Sequence, residues 1–182
     1  MVNKLRALNL SLVASTLCVL GFAALYMSGC DGLNKPTNTE LVNVSQLKFK
    51  SLEGTDFKLG RHNKLPIVLN VWATWCAPCI KELPSLYELS KQGDFAVMTV
   101  AIDNDAAVVK NFLKQYHLSE LATVWDKGGT TIIDAVGLKG VPTTFIINTD
   151  QQIVATEQGE RNWNHPDMVA KIKQALKAAE AN

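Results

Sequence analysis

Neither sign of charge dominates this chain. Eighteen lysines and arginines face 17 aspartates and glutamates, so the basic footprint that nucleic acid or an anionic membrane surface requires is missing, and no nucleic-acid partner is expected. Histidine is scarce at three residues and cysteine at four. A zinc site would need a second cysteine pair or histidines at ligand spacing. His62, His117 and His165 show no such spacing, so no metal is expected. No internal repeat is visible, and 182 residues are too few for two comfortable cores. One folded domain with a short appendage is expected.

A long apolar run occurs at the start. Lys4 and Arg6 precede a charge-free stretch over residues 7–27, the pattern of a targeting or anchoring segment. It ends in MSGC, where small residues precede Cys30. This resembles the lipobox of bacterial lipoproteins, whose cysteine is lipidated after cleavage, although the usual leucine three places earlier is here Met27. The alternative is an uncleaved helix of about 21 residues, roughly 30 Å long and sufficient to span a bilayer. Residues 1–30 are thus a signal peptide with a lipobox or a membrane anchor, and both tether the protein. The positive flank keeps the start of the chain in the cytosol and delivers the rest to the far side of the membrane. Asp31 after Cys30 resembles the enterobacterial signal for staying in the inner membrane. The expected place is the periplasmic, extracytoplasmic face of a bacterial inner membrane.

Export organises the cysteines. Cys18 lies in the apolar run and reads as a small hydrophobe, and Cys30 is the candidate lipidation site. Only Cys76 and Cys79 remain in the exported part, so any disulfide within it joins those two.

Residues 31–43 are polar and rich in Gly, Pro, Asn and Thr, which suits a flexible linker. The domain is expected over 44–182. Residues 47–59 alternate around Glu53-Gly54 and read as a hairpin. Residues 66–73 form a nearly continuous apolar, branched run, the mark of a buried central strand. Residues 76–91 have helical spacing with Leu83, Leu86 and Leu89 on one side, and 95–103 read as a second buried strand. A helix around Val109 and Leu113, a short strand ATVWD and a short helix TTIIDAV follow. Two strands then flank a turn at residues 148–151, and a last helix opens near Asn164, carrying Met168, Ile172 and Leu176 inward. The sum is an α/β fold: a mixed central sheet flanked by helices, with an N-terminal β-hairpin and an inserted α-β pair.

The chemistry concentrates in NVWATWCAPCIKELP, residues 70–84. Cys76 sits where a strand hands over to a helix, against unpaired N–H groups and the positive end of the helix dipole, and both favour the thiolate. A thiolate attacks a disulfide and gives a mixed disulfide, which a second nearby thiol must resolve. Cys79 lies on the same helical face. Pro78 is harmless in the first turn, whereas Pro84 deprives the Ile80 carbonyl of a donor and should kink the helix.

At this point the sequence resembles thioredoxin-like proteins, specifically the membrane-anchored TlpA/ResA/DsbE group of thiol-disulfide oxidoreductases, over roughly residues 41–179. The carriers are VWATWCAPC with Trp72 and Trp75, then Pro84, then GVPTTFII. The resemblance implies a thioredoxin-like fold, a redox-active Cys76–Cys79 disulfide with no other cofactor, and a cis Val141–Pro142 bond beside the cysteines. Trp75, Pro78, Val141 and Pro142 are then the surface that meets the substrate. Where cytosolic thioredoxins carry a buried aspartate, six residues before the first cysteine, this chain has Asn70, and the accompanying lysine is replaced by Thr99. The usual proton relay is therefore missing. Glu82 matches the acid that some ResA-like proteins place near the resolving cysteine, which gives it a candidate catalytic role beside Cys76 and Cys79. The competing reading is a solvated glutamate in the first turns of a helix.

The leading function is a tethered reductase. Reduced Cys76 attacks a disulfide in an exported client, such as an apocytochrome c or a copper-site protein, and Cys79 releases the reduced client. Restoring the pair in an oxidising compartment requires a membrane thiol donor, by resemblance of the DsbD/CcdA type. The alternatives are disulfide oxidation or isomerisation, and a copper chaperone using the same thiols with His165 as third ligand. A thiol peroxidase would want a threonine where this chain has Ala73.

Overall fold

A computed structural model of the chain describes residues 41–61 and 64–181. The targeting segment with Cys18 and Cys30, most of the expected linker, and His62 lie outside the described residues. No described helix is long and apolar enough to cross a membrane.

The elements are β1 (Lys48–Ser51), β2 (Asp56–Lys58), β3 (Ile67–Trp72), α1 (Ala77–Ser90), β4 (Ala96–Ala101), α2 (Ala106–Gln115), β5 (Thr123–Trp125), α3 (Thr130–Val136), β6 (Thr143–Ile147), β7 (Ile153–Gln158) and α4 (Pro166–Glu180). They build one mixed seven-stranded sheet in the order β2-β1-β5-β4-β3-β6-β7. β3, β4 and β5 run parallel, while β6 returns antiparallel beside β3 and β7 follows it. The hairpin turns at Gly54, where φ is +86°, a conformation that glycine adopts without a Cβ clash. Its β1 strand joins the sheet beside β5.

β3 is buried at every position, and its alternation divides the core. Val68 and Trp72 face Leu83, Leu86 and Leu89 of α1 and Ile172 and Leu176 of α4. Ile67, Leu69 and Val71 face Ile132 of α3 and Phe145 and Ile147 of β6. The three leucines of α1 are fully buried, each contributing about 1.5–3 kcal/mol. That packing carries α1 through Pro84, which lies inside the helix.

One boundary differs from the sequence reading. Residues 41–43, assigned by composition to the linker, are partly paired: the Ile153 N–H donates to the Val42 carbonyl, and Asn43 bridges to Gln152. The last helix opens as its sequence indicates, with Pro166 and Asp167 in the first turn and His165 as its N-cap, the ring Nδ1 accepting from the Asp167 N–H.

Candidate active site

Cys76 is the N-cap of α1 with an extended backbone, and its N–H donates to the Ala73 carbonyl across the turn that follows β3. Its Sγ accepts the N–H of Cys79 at 3.3 Å, so a helical amide is aimed at the sulfur, which is the arrangement that favours a thiolate. Cys76 and Cys79 are joined by a disulfide with their Cα atoms 5.3 Å apart. Burial separates their roles, since Cys76 keeps 5 % of its surface exposed and Cys79 none. An incoming thiolate therefore reaches only the Cys76 sulfur. Trp75 beside it is 68 % exposed, and Pro78 in the first turn is exposed as well.

Glu82 is not solvated. Only 1 % of its surface is exposed, and the surface reading of this residue is overturned by its place on the stripe that also buries Cys79, Leu83 and Leu86. Asn70 Nδ2 donates to its Oε1 at 2.6 Å, while the Arg161 N–H and Trp163 Nε1 donate to its Oε2 at 3.0 and 3.1 Å. Burial raises the Glu82 carboxyl above its ordinary value. The three donors oppose that rise and the charge of Glu160 adds to it. The result is a carboxyl one turn beyond Cys79, buried yet furnished for ionisation.

Asn70 occupies the place of the thioredoxin aspartate and also donates to Thr144 Oγ1 at 2.8 Å. Thr99, at the expected lysine's place, pairs with Thr123 instead, hydroxyl to hydroxyl at 2.9 Å. Neither residue titrates.

The turn into Cys76 is held by a residue the sequence did not single out. Asp103, 5 % exposed just past the end of β4, accepts the Thr74 hydroxyl at 2.6 Å and the Thr74 N–H at 3.1 and 3.3 Å. Replacing Asp103 with alanine strands two half-buried donors and is expected to destabilise the oxidised chain by about 1–3 kcal/mol. Asp103→Asn keeps one acceptor oxygen and is expected to lose less. Urea denaturation orders the three proteins, and equal midpoints would show that the clamp contributes nothing.

The Val141–Pro142 peptide is cis. Because Val71 of β3 pairs with Thr143 of β6, this bond lies at the same end of the sheet as the cysteines, and Val141 packs against the cluster that contains them. A shallow groove of about 200 Å³ runs along Gly140, Val141, Pro142 and Gly159. Among the described residues no cluster of three metal-ligating side chains occurs.

Residues 36–176 match the redoxin family. The thiol-disulfide oxidoreductase ResA of Bacillus thuringiensis is 40 % identical over 121 residues, which is 65 % of this chain and 66 % of that protein, so the match spans just under two thirds of the relative's length. ResA of Bacillus subtilis is 27 % identical over 148 residues, 79 % of each chain. Among solved structures, a chain assigned as the thiol:disulfide interchange protein DsbE of Chlorobium tepidum superposes with a TM-score of 0.65 at 25 % identity, covering 75 % of this chain and 96 % of that one.

Proposed function

We propose, from the premise that this chain belongs to the redoxin family and within it to the thioredoxin-like TlpA/ResA/DsbE type, that it is a membrane-tethered, extracytoplasmic thiol-disulfide oxidoreductase that reduces disulfides in exported client proteins. The observation that carries the reading is the asymmetry of the cysteine pair: Cys76 on a helix N-cap with 5 % of its surface exposed, its partner fully buried. The relatives' names support the reaction class.

The exchange runs in two displacements. The Cys76 thiolate attacks a client sulfur, an S–S bond forms between them, and the other client sulfur leaves as thiolate. The Cys79 thiol gives its proton to Glu82 and attacks Cys76 Sγ. The Cys76–Cys79 bond closes and the second client sulfur leaves, so the client gains the two electrons that the pair loses. A membrane thiol donor of the DsbD/CcdA type restores the dithiol, since the compartment holds no soluble pool able to do so. Trp75, Pro78, Val141 and Pro142 form the surface against which the client lies, and Cys30 carries the lipid if the segment before it is cleaved. The clients are apocytochrome c or copper-site cysteines.

Direction is the part open to measurement. Equilibration of the pair against dithiothreitol and glutathione is expected to give a reduction potential far below the about −120 mV of a strong exported oxidant. A value at that oxidising end would replace the reductase with a disulfide-forming enzyme.

A further inference from the structure

We propose that Asn70 is a positioning residue that follows the protonation of Glu82 by turning its carboxamide over, so that one buried group hydrogen-bonds the carboxyl in both of its states. The inference rests on the reading of Glu82 as acceptor of the Cys79 proton.

The two oxygens of Glu82 are held differently. Oε2 receives a backbone N–H from Arg161 and an indole N–H from Trp163, and neither group can do anything but donate. A proton placed on Oε2 would oppose both. The proton therefore goes to Oε1, whose partner is the Asn70 amide at 2.6 Å. With Glu82 ionised, that N–H donor is the right partner. With Oε1 protonated it is a poor one, because the new O–H needs an acceptor and Nδ2 offers only donors, which leaves a buried donor unmet at a cost of about 1–3 kcal/mol.

Asn70 carries the remedy on the same planar group. Its Oδ1 is buried without a partner, while its Nδ2 serves both Glu82 and Thr144. A half-turn about the Cβ–Cγ bond exchanges the two atoms. Oδ1 then lies where it accepts the Oε1–H of Glu82, and the Thr144 hydroxyl, which accepts in one state, donates in the other. The first state leaves the acceptor Oδ1 unpartnered and the turned state leaves the Nδ2 donors so, and the turn is therefore made only when the proton on Glu82 and the Thr144 hydroxyl both donate to Oδ1.

The surroundings leave this switch to Asn70. On α1 the titratable neighbours of Glu82 are Cys79, which supplies the proton, and the exposed Lys81. The segment between β7 and α4 brings the charge of Glu160 and only the backbone of Arg161. β3 and β6 contribute the neutral Asn70 and Thr144. An aspartate at position 70 would oppose a second carboxylate to Glu82 at hydrogen-bond distance, and an apolar residue would offer no partner to either state.

The test uses the full chain in detergent with its disulfide intact, labelled in the side chains of asparagine and glutamate for NMR. The Glu82 carboxyl carbon, assigned by its loss in E82Q, and the Asn70 NH2 signals are expected to titrate with one shared midpoint. The contact between the Asn70 NH2 and the Thr144 methyl is expected to fade below it. A Glu82 carboxyl that titrates while the Asn70 signals stay fixed overturns the proposal, and so does a Glu82 that takes no proton anywhere in the folded range. In the reduced chain, Asn70→Leu is expected to slow resolution of a mixed disulfide on the order of tenfold and to move its pH profile; an unchanged profile overturns the proposal. The NMR arm uses no exchange reaction. Shared titration in a chain that exchanges no disulfide therefore keeps the amide turn and removes the parent function.

Discussion

Replacing Cys76 with serine is expected to reduce disulfide exchange to the uncatalysed background, whereas replacing Cys79 with alanine is expected to stop it one step later, with the client still attached. The difference follows from burial. Cys76 keeps the pair's only accessible surface and sits on the helix N-cap with the Cys79 N–H aimed at its sulfur. Without it no thiolate reaches a client. Cys79 is fully buried, so its loss leaves the first displacement intact and removes the thiol that completes the second. Clients then accumulate as mixed disulfides on Cys76 and leave only when an external thiol is added. The disulfide closes a very short loop and constrains little of the unfolded chain, so both variants are expected to stay folded and their defects to be chemical. Non-reducing gels of the envelope fraction separate the two outcomes. A Cys79→Ala chain that turns over normally, or that collects no covalent client, would remove the proposed exchange.

Much of this site was legible because its parts are close in sequence. The branched run of β3, the cysteine pair directly after it and the leucine stripe of α1 share one continuous segment, and their periodicities of two and near 3.6 need no tertiary information. The hairpin was legible for the same reason, but its place beside β5 was not, since that pairing joins Lys50 to Trp125 across the whole βαβ unit. Glu82 shows where local reasoning fails. Its partners Arg161 and Trp163 lie 79 and 81 residues away, and Thr144 lies 74 from Asn70. A signal did exist: the spacing of Cys79, Glu82, Leu83 and Leu86 puts the acid inside the apolar stripe of α1. Charge at such a position is costly unless it is paired, so an acid there asks for donors from elsewhere in the chain. Asp103 gave no comparable warning, because its work is to hold the backbone and hydroxyl of Thr74, and no sequence pattern marks a clamp between the ends of two parallel strands.

Trp163 supplies one of those donors, and its substitution is expected to have the largest effect on stability. The side chain is fully buried between α1 and α4, and its backbone N–H also donates to Ser85 Oγ at 3.0 Å. Trp163→Ala is expected to cost about 3–5 kcal/mol through lost contact and the cavity left behind, a large part of an ordinary domain's stability. Trp163→Phe removes the N–H held by Glu82 Oε2 together with part of the fused ring, so its penalty has a packing part that is the same at every pH and a polar part that follows the charge on Glu82. Burial raises the folded-state Glu82 carboxyl above its unfolded value of 4.5, so Glu82 contributes stability that is present below that value and lost as the pH rises through the folded one. The Trp163 donor limits the loss by stabilising the ionised form. Removing it raises the folded value further and deepens the loss. The Trp163→Phe penalty is therefore expected to be larger at neutral pH than near pH 4 by about 1–3 kcal/mol, on top of a packing cost common to both. Urea denaturation of the oxidised chain at the two pH values measures both numbers. An equal penalty at each would mean that the indole N–H does not hold a titrating carboxyl, and Glu82 would lose the support on which its ionisation depends.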